Sequence, residues 1–196
     1  MEENKKTTKS KLRAYLPIIG LGIVLVASAI GLGIAAINKS KNEATEEVAF
    51  NSEFMTLEEI EELEDYVEDL TEEEIAALKE AAKTGVKDEL TLRLLLLLDD
   101  EIEIKVSNNM ELIAGMKVNG QKTLTGEATL KMFLASSKNT MEDAVLLVSR
   151  GNTLDMEGLV IDGNGVCHAI LVQDGATLNY NKGTIQYASS YGIYNQ

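Results

Sequence analysis

The chain has 196 residues, 45% hydrophobic and 5% aromatic, and its 32 acidic side chains against 18 Lys and Arg give a formal net charge of −14. This length accommodates one modest domain with an appendage and excludes a large multidomain enzyme. The acidic balance excludes nucleic acid as the expected partner, because phosphate binding needs a concentrated basic surface. A single cysteine, Cys167, excludes a disulfide scaffold.

The charge falls into three blocks along the chain. Residues 1–41 carry a net charge of +5, residues 42–84 carry −14 and residues 85–196 carry −5. Together with the hydrophobic pattern, these blocks predict five segments. They are a basic cytoplasmic tail (1–13), a transmembrane helix (14–37), a linker (38–55), an acidic helical stalk or cap (56–85) and a β-repeat domain (86–196).

Residues 14–37 contain no charged side chain. A helix of that length spans about 36 Å, enough to cross a hydrocarbon core of about 30 Å. Five basic residues precede it, so the positive-inside bias puts the N-terminus in the cytoplasm and the C-terminal part outside the cell. The sequence thus predicts a single-pass protein of the cell membrane. The alternative is that the apolar run is a secretory signal peptide, cleaved at Ala27-Ser28-Ala29.

The acidic block predicts two helices of about fourteen residues each. Thr56 with Glu59, and Thr71 with Glu74, have the spacing of N-terminal capping boxes, and Gly85 is placed to end the second helix. The apolar stripes expected on the two helices are Leu57, Ile60, Leu63, Val67 and Leu70, and then Ile75, Leu78 and Ala82. Residues 58–74 lack the glycine that a calcium-binding EF-hand loop requires, so no metal site is predicted there.

From Leu90 onwards the apolar residues alternate, which predicts half-buried strands over Leu90–Leu98 and Ile102–Val106. Turn-forming Gly and Asn residues then punctuate the chain, and no helical stretch lies between them. The turns are expected at Asn108-Asn109, Asn119-Gly120, Gly151-Asn152, Asp162-Gly163-Asn164-Gly165 and Asp174-Gly175. This pattern predicts a mainly β fold.

An internal repeat lies in the last third of the chain. Residues 145–154 align without a gap on residues 169–178, an offset of 24, with five of the ten positions identical. A weaker copy over Val118–Leu124 lies 30 residues before its counterpart, and the same 24-residue offset pairs His168–Leu171 with Gly192–Asn195. Short strands repeating at such a period predict a solenoid whose coils stack on one another.

Three stretches carry a resemblance to a known family: Val118–Gly126, Ile161–Gly165 and Gly192–Asn195. The first is similar to an "NGKTLTG" element, and together they resemble the right-handed parallel β-helix of pectin-lyase-like repeat proteins on bacterial surfaces. The resemblance covers about residues 86–196. It implies coils of about 24 residues, with an amphipathic helix, here Thr71–Thr84, covering the N-terminal end. Because another coil begins just before Gln196, we expect the chain to be the N-terminal portion of a longer protein.

The family's enzymes use an Arg or Lys beside a calcium-binding carboxylate cluster, or several Asp with a nearby His. The only arginines of the β-repeat domain are Arg93 and Arg150, and its only histidine is His168. We expect Ala188 to stack on the turn of Asp162, and Ala144 and Gly192 to flank His168, so that no cluster of acid, base and metal ligands forms. No catalytic, cofactor-binding or metal-binding residue is therefore predicted.

Four tyrosines cluster near the C-terminal end: Tyr180, Tyr187, Tyr191 and Tyr194. Their rings could stack on sugars or pack against a following coil. Cys167 is expected to be a buried, stacked hydrophobe, with a reactive thiol as the alternative. The function predicted is a non-catalytic, membrane-anchored surface protein that contacts carbohydrate or a cell-surface protein. The alternative is a membrane-tethered polysaccharide lyase or hydrolase with catalytic residues beyond Gln196.

Overall fold

The computed structural model describes residues 57–133 and 144–196. Four helices come first in this part of the chain: α1 (Leu57–Glu61), α2 (Leu63–Glu68), α3 (Glu72–Thr84) and α4 (Glu89–Leu97). Ten strands follow: β1 (Glu101–Val106), β2 (Met110–Leu112), β3 (Met116–Val118), β4 (Gln121–Gly126), β5 (Thr129–Met132), β6 (Ala144–Val148), β7 (Thr153–Asp162), β8 (His168–Val172), β9 (Thr177–Gln186) and β10 (Ile193–Asn195).

The first predicted helix is divided into α1 and α2, and its expected cap, Thr56, lies outside the described residues. Leu63 and Tyr66 of α2 are buried, whereas Leu57 at the start of α1 is 46% exposed. The apolar stripe expected on one fourteen-residue helix is therefore only partly buried. Tyr66, which was not assigned to the stripe, contributes to the core.

Helix α3 forms as predicted. The Thr71 hydroxyl accepts a hydrogen bond from the Glu74 N–H (3.3 Å), and the Glu74 carboxylate accepts one from the Thr71 N–H (2.8 Å), so the capping box is complete. Gly85, with a φ of +122°, ends the helix and donates its N–H to the Ala81 carbonyl. The helix buries Leu78, Ala81 and Ala82 and packs against β1.

The strand predicted over Leu90–Leu98 is wrong, because these residues lie in helix α4 or cap it. The Asp88 carboxylate caps the helix by accepting a hydrogen bond from the Thr91 N–H at 2.9 Å. Every residue from Thr91 to Leu97 is buried. A helix that is apolar on all sides has no amphipathic period, so its sequence cannot be told from that of a buried strand.

All strand pairs in the two sheets are parallel. The first sheet has the order β1-β4-β7-β5-β2, with β9 paired to β7, and the second has the order β10-β8-β6-β3. Each pass of the chain contributes to both sheets, giving four coils, here defined as residues 101–118, 121–148, 153–172 and 177–195. The parallel sheets curl into a half-barrel.

The 24-residue repeat is the offset at which β7 pairs with β9, as in Leu154 with Leu178 and Ile161 with Ile185, and at which β6 pairs with β8. The other offsets differ. Strand β1 pairs with β4 at an offset of 20. The predicted offset of 30 is present between β3 and β6, whereas β4 pairs with β7 at 32, and β8 pairs with β10 at 23 rather than 24. The coils therefore vary in length while the paired strands keep their register, apart from a local shift between β7 and β9 at Glu157.

As a whole, the predicted fold class of a transmembrane helix followed by regular coils is wrong. Among the described helices α1 to α4, none is long and apolar enough to cross a membrane. The run 14–37, for which the spanning helix was predicted, lies outside the described residues, as do the tail 1–13 and the linker 38–55. The described part is β-rich with parallel strands, preceded by the four helices.

A column of glycines crosses the first sheet where the strands bend. Gly126 and Gly158 have φ values of +122° and +128°, a region that favours glycine. A Cβ on Gly158 would lie 2.5 Å from the Gly126 carbonyl oxygen, and a Cβ on Gly126 would collide with the Val106 carbonyl. The backbones of successive coils therefore approach too closely at this bend for any side chain.

This close approach predicts the effect of an added methyl group. Gly158→Ala should lower the free energy of unfolding by at least about 2 kcal/mol more than Gly151→Ala, because both strain a positive φ but only the first also collides with backbone. Gly151 has a φ of +78° and open space around it, so it is the matched control. Urea denaturation of the two variants checks this, and equal losses would contradict the proposed collision.

Candidate functional site

A lysine is buried in the apolar interior of the first sheet. Lys122 lies between Ile102 and Leu154 in the register, and its side chain is fully buried. Its ammonium donates hydrogen bonds to the carbonyls of Leu98 (2.7 Å), Asp100 (2.6 Å) and Asn119 (2.6 Å). All three donors of the ammonium are thus used within the protein. They join the segment after α4 to the turn before β4.

Burial lowers the pKa of Lys122 to about 8, and the nearby carboxylates of Asp100 and Asp99 oppose this shift. Lys79, which pairs with Asp100 at 2.9 Å, lowers the pKa further. The ammonium faces backbone carbonyls and is sealed from solvent. We therefore assign Lys122 a structural role, closing the junction between the helices and the first two coils.

A buried ion pair performs a similar role on α4. Arg93 contacts Glu89 through its Nη2 (2.6 Å), and its guanidinium also donates to the carbonyls of Ala114 and Gly115, each at 2.7 Å. Burial raises the pKa of Glu89 despite the opposing effect of Arg93, and it lowers the pKa of Arg93 despite the effect of Glu89. One of the two arginines considered for catalysis is therefore enclosed in the fold.

The other residues considered for catalysis lie apart. Arg150 is exposed and pairs with Asp174 at 3.4 Å, in the corresponding turn of the next coil. Asp162 is buried and accepts hydrogen bonds from the Asn164 N–H (2.8 Å) and the Gln186 amide (2.9 Å). Gln186, rather than the expected Ala188, is the residue in register with Asp162. Within 57–133 and 144–196, no three His, Cys, Asp or Glu side chains could hold a metal ion together.

The His168 ring contacts two tyrosine rings, which also contact each other. Its ring centroid lies 5.2 Å from that of Tyr194 and 5.5 Å from that of Tyr191, and the two tyrosine centroids are 5.5 Å apart. The Tyr191 N–H also donates to Nδ1 of His168 at 3.2 Å. We call these three residues the ring group. The expectation that His168 stacks with Gly192 and lacks a partner is wrong, because the chain is offset by 23 residues here.

Strands of the second sheet position the ring group. His168 pairs with Ala144, and Tyr194 pairs with Leu171, which itself pairs with Leu147. Ala144, Leu147 and Leu171 form a buried apolar cluster of their own. Tyr191 is 57% exposed and Tyr194 is 37% exposed. The ring group is therefore accessible to solvent and is packed on one face of the second sheet.

Two further residues from the sequence are located. Cys167 is buried, as expected for a stacked hydrophobe, and its Sγ lies 3.8 Å from the Gly163 carbonyl oxygen. Tyr187 is 71% exposed in the segment between β9 and β10, with a φ of +49°.

Lys122 is a residue that the sequence analysis did not identify. The sequence feature that could have identified it is the position of this lysine in an alternating strand, two residues before Leu124 and therefore on the same inward face.

The role of Lys122 predicts a large effect of its removal. Lys122→Met should lower the free energy of unfolding by about 3 kcal/mol, because the three carbonyls lose their donor inside the protein. Lys117→Met is the matched control, since Lys117 only pairs with Glu64 near the surface at 3.0 Å and should contribute less than about 1 kcal/mol. Urea denaturation measures both losses, and a small loss for Lys122→Met would contradict the assigned role.

The lowered pKa of Lys122 also predicts a pH dependence. In the unfolded chain this lysine titrates near a pKa of about 10.4, so between pH 8 and 10.4 the unfolded state binds more protons than the folded state. The contribution of Lys122 to stability should therefore increase as pH rises through this range. The measurement is the difference in unfolding free energy between the unmodified chain and Lys122→Met at pH 7, 8, 9 and 10. A difference that falls with pH would show that burial does not lower this pKa.

Comparison with known proteins adds no relative: no family model, curated protein or solved structure matches this chain. The resemblance to pectin-lyase-like repeat proteins and the location at the cell surface therefore stay predictions. The candidate site rests on the geometry of the ring group alone.

Proposed function

We propose that this chain is a non-catalytic binding protein that contacts carbohydrate through the ring group of His168, Tyr191 and Tyr194. The observation that carries the proposal is the set of mutual contacts, two stacked and one tilted, between three partly exposed rings in and beside β8 and β10 of the second sheet. The role is adhesive, since recognition requires only a positioned surface and no acid, base or metal.

The chemistry of the rings suits a sugar. A tyrosine ring has an apolar face that packs on the C–H face of a pyranose, and its hydroxyl can form hydrogen bonds with sugar hydroxyls. Exposed Ser189, Ser190 and Asn195 lie beside the ring group in the sequence and offer further polar groups. Pairing of Tyr194 with Leu171 positions one ring before the ligand arrives, which reduces the entropy lost on binding.

The net charge of residues 163–196, which contain the ring group, indicates which class of glycan the site would bind. Residues 163–196 contain one acid, Asp174, and one base, Lys182, so their formal net charge is zero within a chain of net charge −14. The acidic remainder of the chain repels polyanions. We therefore expect neutral polysaccharides to bind in preference to uronic acid polymers. No observation on the described residues favours the alternative of a lyase or hydrolase.

The test is affinity electrophoresis of the 196-residue chain in gels that contain one glycan each. The neutral glycans are hydroxyethyl cellulose and soluble chitin oligomers, and the uronic acid polymer is polygalacturonate. We expect retardation by a neutral glycan, and Tyr191→Ala should weaken it about 10-fold because one stacking face is lost. Tyr191→Phe should retain binding, since the ring face remains.

Tyr187→Ala is the matched control, because it removes an even more exposed tyrosine outside the ring group. It should bind as the unmodified chain does. Equal weakening by Tyr187→Ala and Tyr191→Ala, or retardation by polygalacturonate alone, would contradict the proposed site.

A further inference from the structure

One row of side chains runs across the second sheet, with one residue from each strand. In the pairing register Lys117 lies beside Leu147, Leu147 beside Leu171, and Leu171 beside Tyr194. We call these four residues the outer row. Successive residues of a strand point to opposite faces, so the outer row lies on the other face of the sheet from the fully buried Leu146.

The middle of the outer row is as buried as a protein core. Leu147 is 8% exposed and Leu171 is 2% exposed, and with Ala144 they form a buried cluster of their own. The two ends of the row are open, since 35% of the Lys117 side chain and 37% of Tyr194 are exposed. Parallel strands that are buried on both faces need a covering layer on each face.

The described elements do not account for the covering layer over the outer row. Within 57–133 and 144–196, β6 and β8 pack chiefly against other strands, which lie beside them in the sheet or across the interior. Helix α4 packs against β3, and α2 packs against α4. The layer over Leu147 and Leu171 therefore comes from elsewhere in the chain or from a partner.

We propose that the outer row binds residues 48–56 of the same chain. The chain enters the described structure beside this row, because Glu64 of α2 accepts a hydrogen bond from the Lys117 ammonium at 3.0 Å. The row spans three strand spacings, about 14 Å, and nine extended residues reach up to about 30 Å. A segment that ends immediately before α1 is therefore long enough to cover the row.

The composition of residues 48–56 suits an apolar row. The acidic block 42–84 contains sixteen acids, but only Glu53 lies within 48–56. The same nine residues include Phe50 and Phe54, two of the three phenylalanines in the chain. Burial of these rings against two leucines removes apolar area from water, which drives the contact.

This contact changes the role of the linker predicted over 38–55. Residues 38–47 alone then connect the uncharged run 14–37 to the stack. The competing occupants of the outer row are another protein and residues 134–143, which precede β6 and contain three charged side chains. Either of them leaves Phe54 without a contact to the row.

The first test is a double-mutant cycle on the 196-residue chain, measured by urea denaturation in one non-ionic detergent. Phe54→Ala and Leu147→Ala together should lower the free energy of unfolding by less than the sum of the single losses. The reason is that the second truncation removes a contact that the first has already lost. Leu134→Ala combined with Leu147→Ala is the matched control and should be additive. Additive losses for the first pair overturn the proposal, and so does coupling between Leu134 and Leu147.

A fluorescence measurement avoids any failure of the truncated variants to fold. The chain contains no tryptophan, so Phe54→Trp introduces a single one. A nitroxide is attached through Lys117→Cys at the end of the row, with Cys167→Ser removing the other thiol, and it quenches tryptophan at short range. Phe54→Trp should lose most of its emission, whereas Leu134→Trp should lose little.

Equal quenching of the two tryptophans, or stronger quenching of Leu134→Trp, overturns the proposal. Such a failure leaves carbohydrate binding by the ring group untouched, since that binding is measured with a different probe and does not depend on residues 48–56.

Discussion

Parallel pairing between successive coils is the interaction on which the rest of this structure depends. A single coil cannot bury its own inward side chains, so Leu124 is covered only because β1 and β7 pair on either side of it. Hydrogen bonding fixes the register, and the register in turn aligns like residues into columns. The glycine column and the ring group both follow from that alignment, as does the exposure of Tyr180 at the last coil.

The first coil needs a different solution, because in the part of the chain that the structure describes it is preceded by helices and not by another coil. Helices α3 and α4 supply apolar side chains there, and two buried cations join α4 and the segment after it to the strand region. Lys122 and Arg93 both donate to backbone carbonyls, which leaves no polar group of the cation without a partner. These buried cations thus connect helices to strands, which cannot pair with each other through main-chain hydrogen bonds.

The sequence predicted the features that depend on local chemistry or on repetition. The capping box at Thr71, the stop at Gly85 and the 24-residue offset between β7 and β9 are all present. It failed where a choice depends on tertiary packing. The leucines of α4 are buried on all sides, so their pattern carries no period, and the inward position of Lys122 contradicts the usual exposure of lysine. The contacts of His168 were missed because the last offset is 23 rather than 24. A shift of one residue in the register decides which side chain lies beside His168.

The unequal lengths of the coils have a consequence for how this fold can change. Strands β4 and β7 pair at an offset of 32, while β1 and β4 pair at 20, yet both pairs keep a continuous parallel register. Most of the additional residues lie in the sequence between β5 of the first sheet and β6 of the second, outside the paired strands. The segments that connect the two sheets can therefore acquire new sequences without disturbing the inward columns. A protein built in this way can diversify these connections one at a time while its interior remains constant.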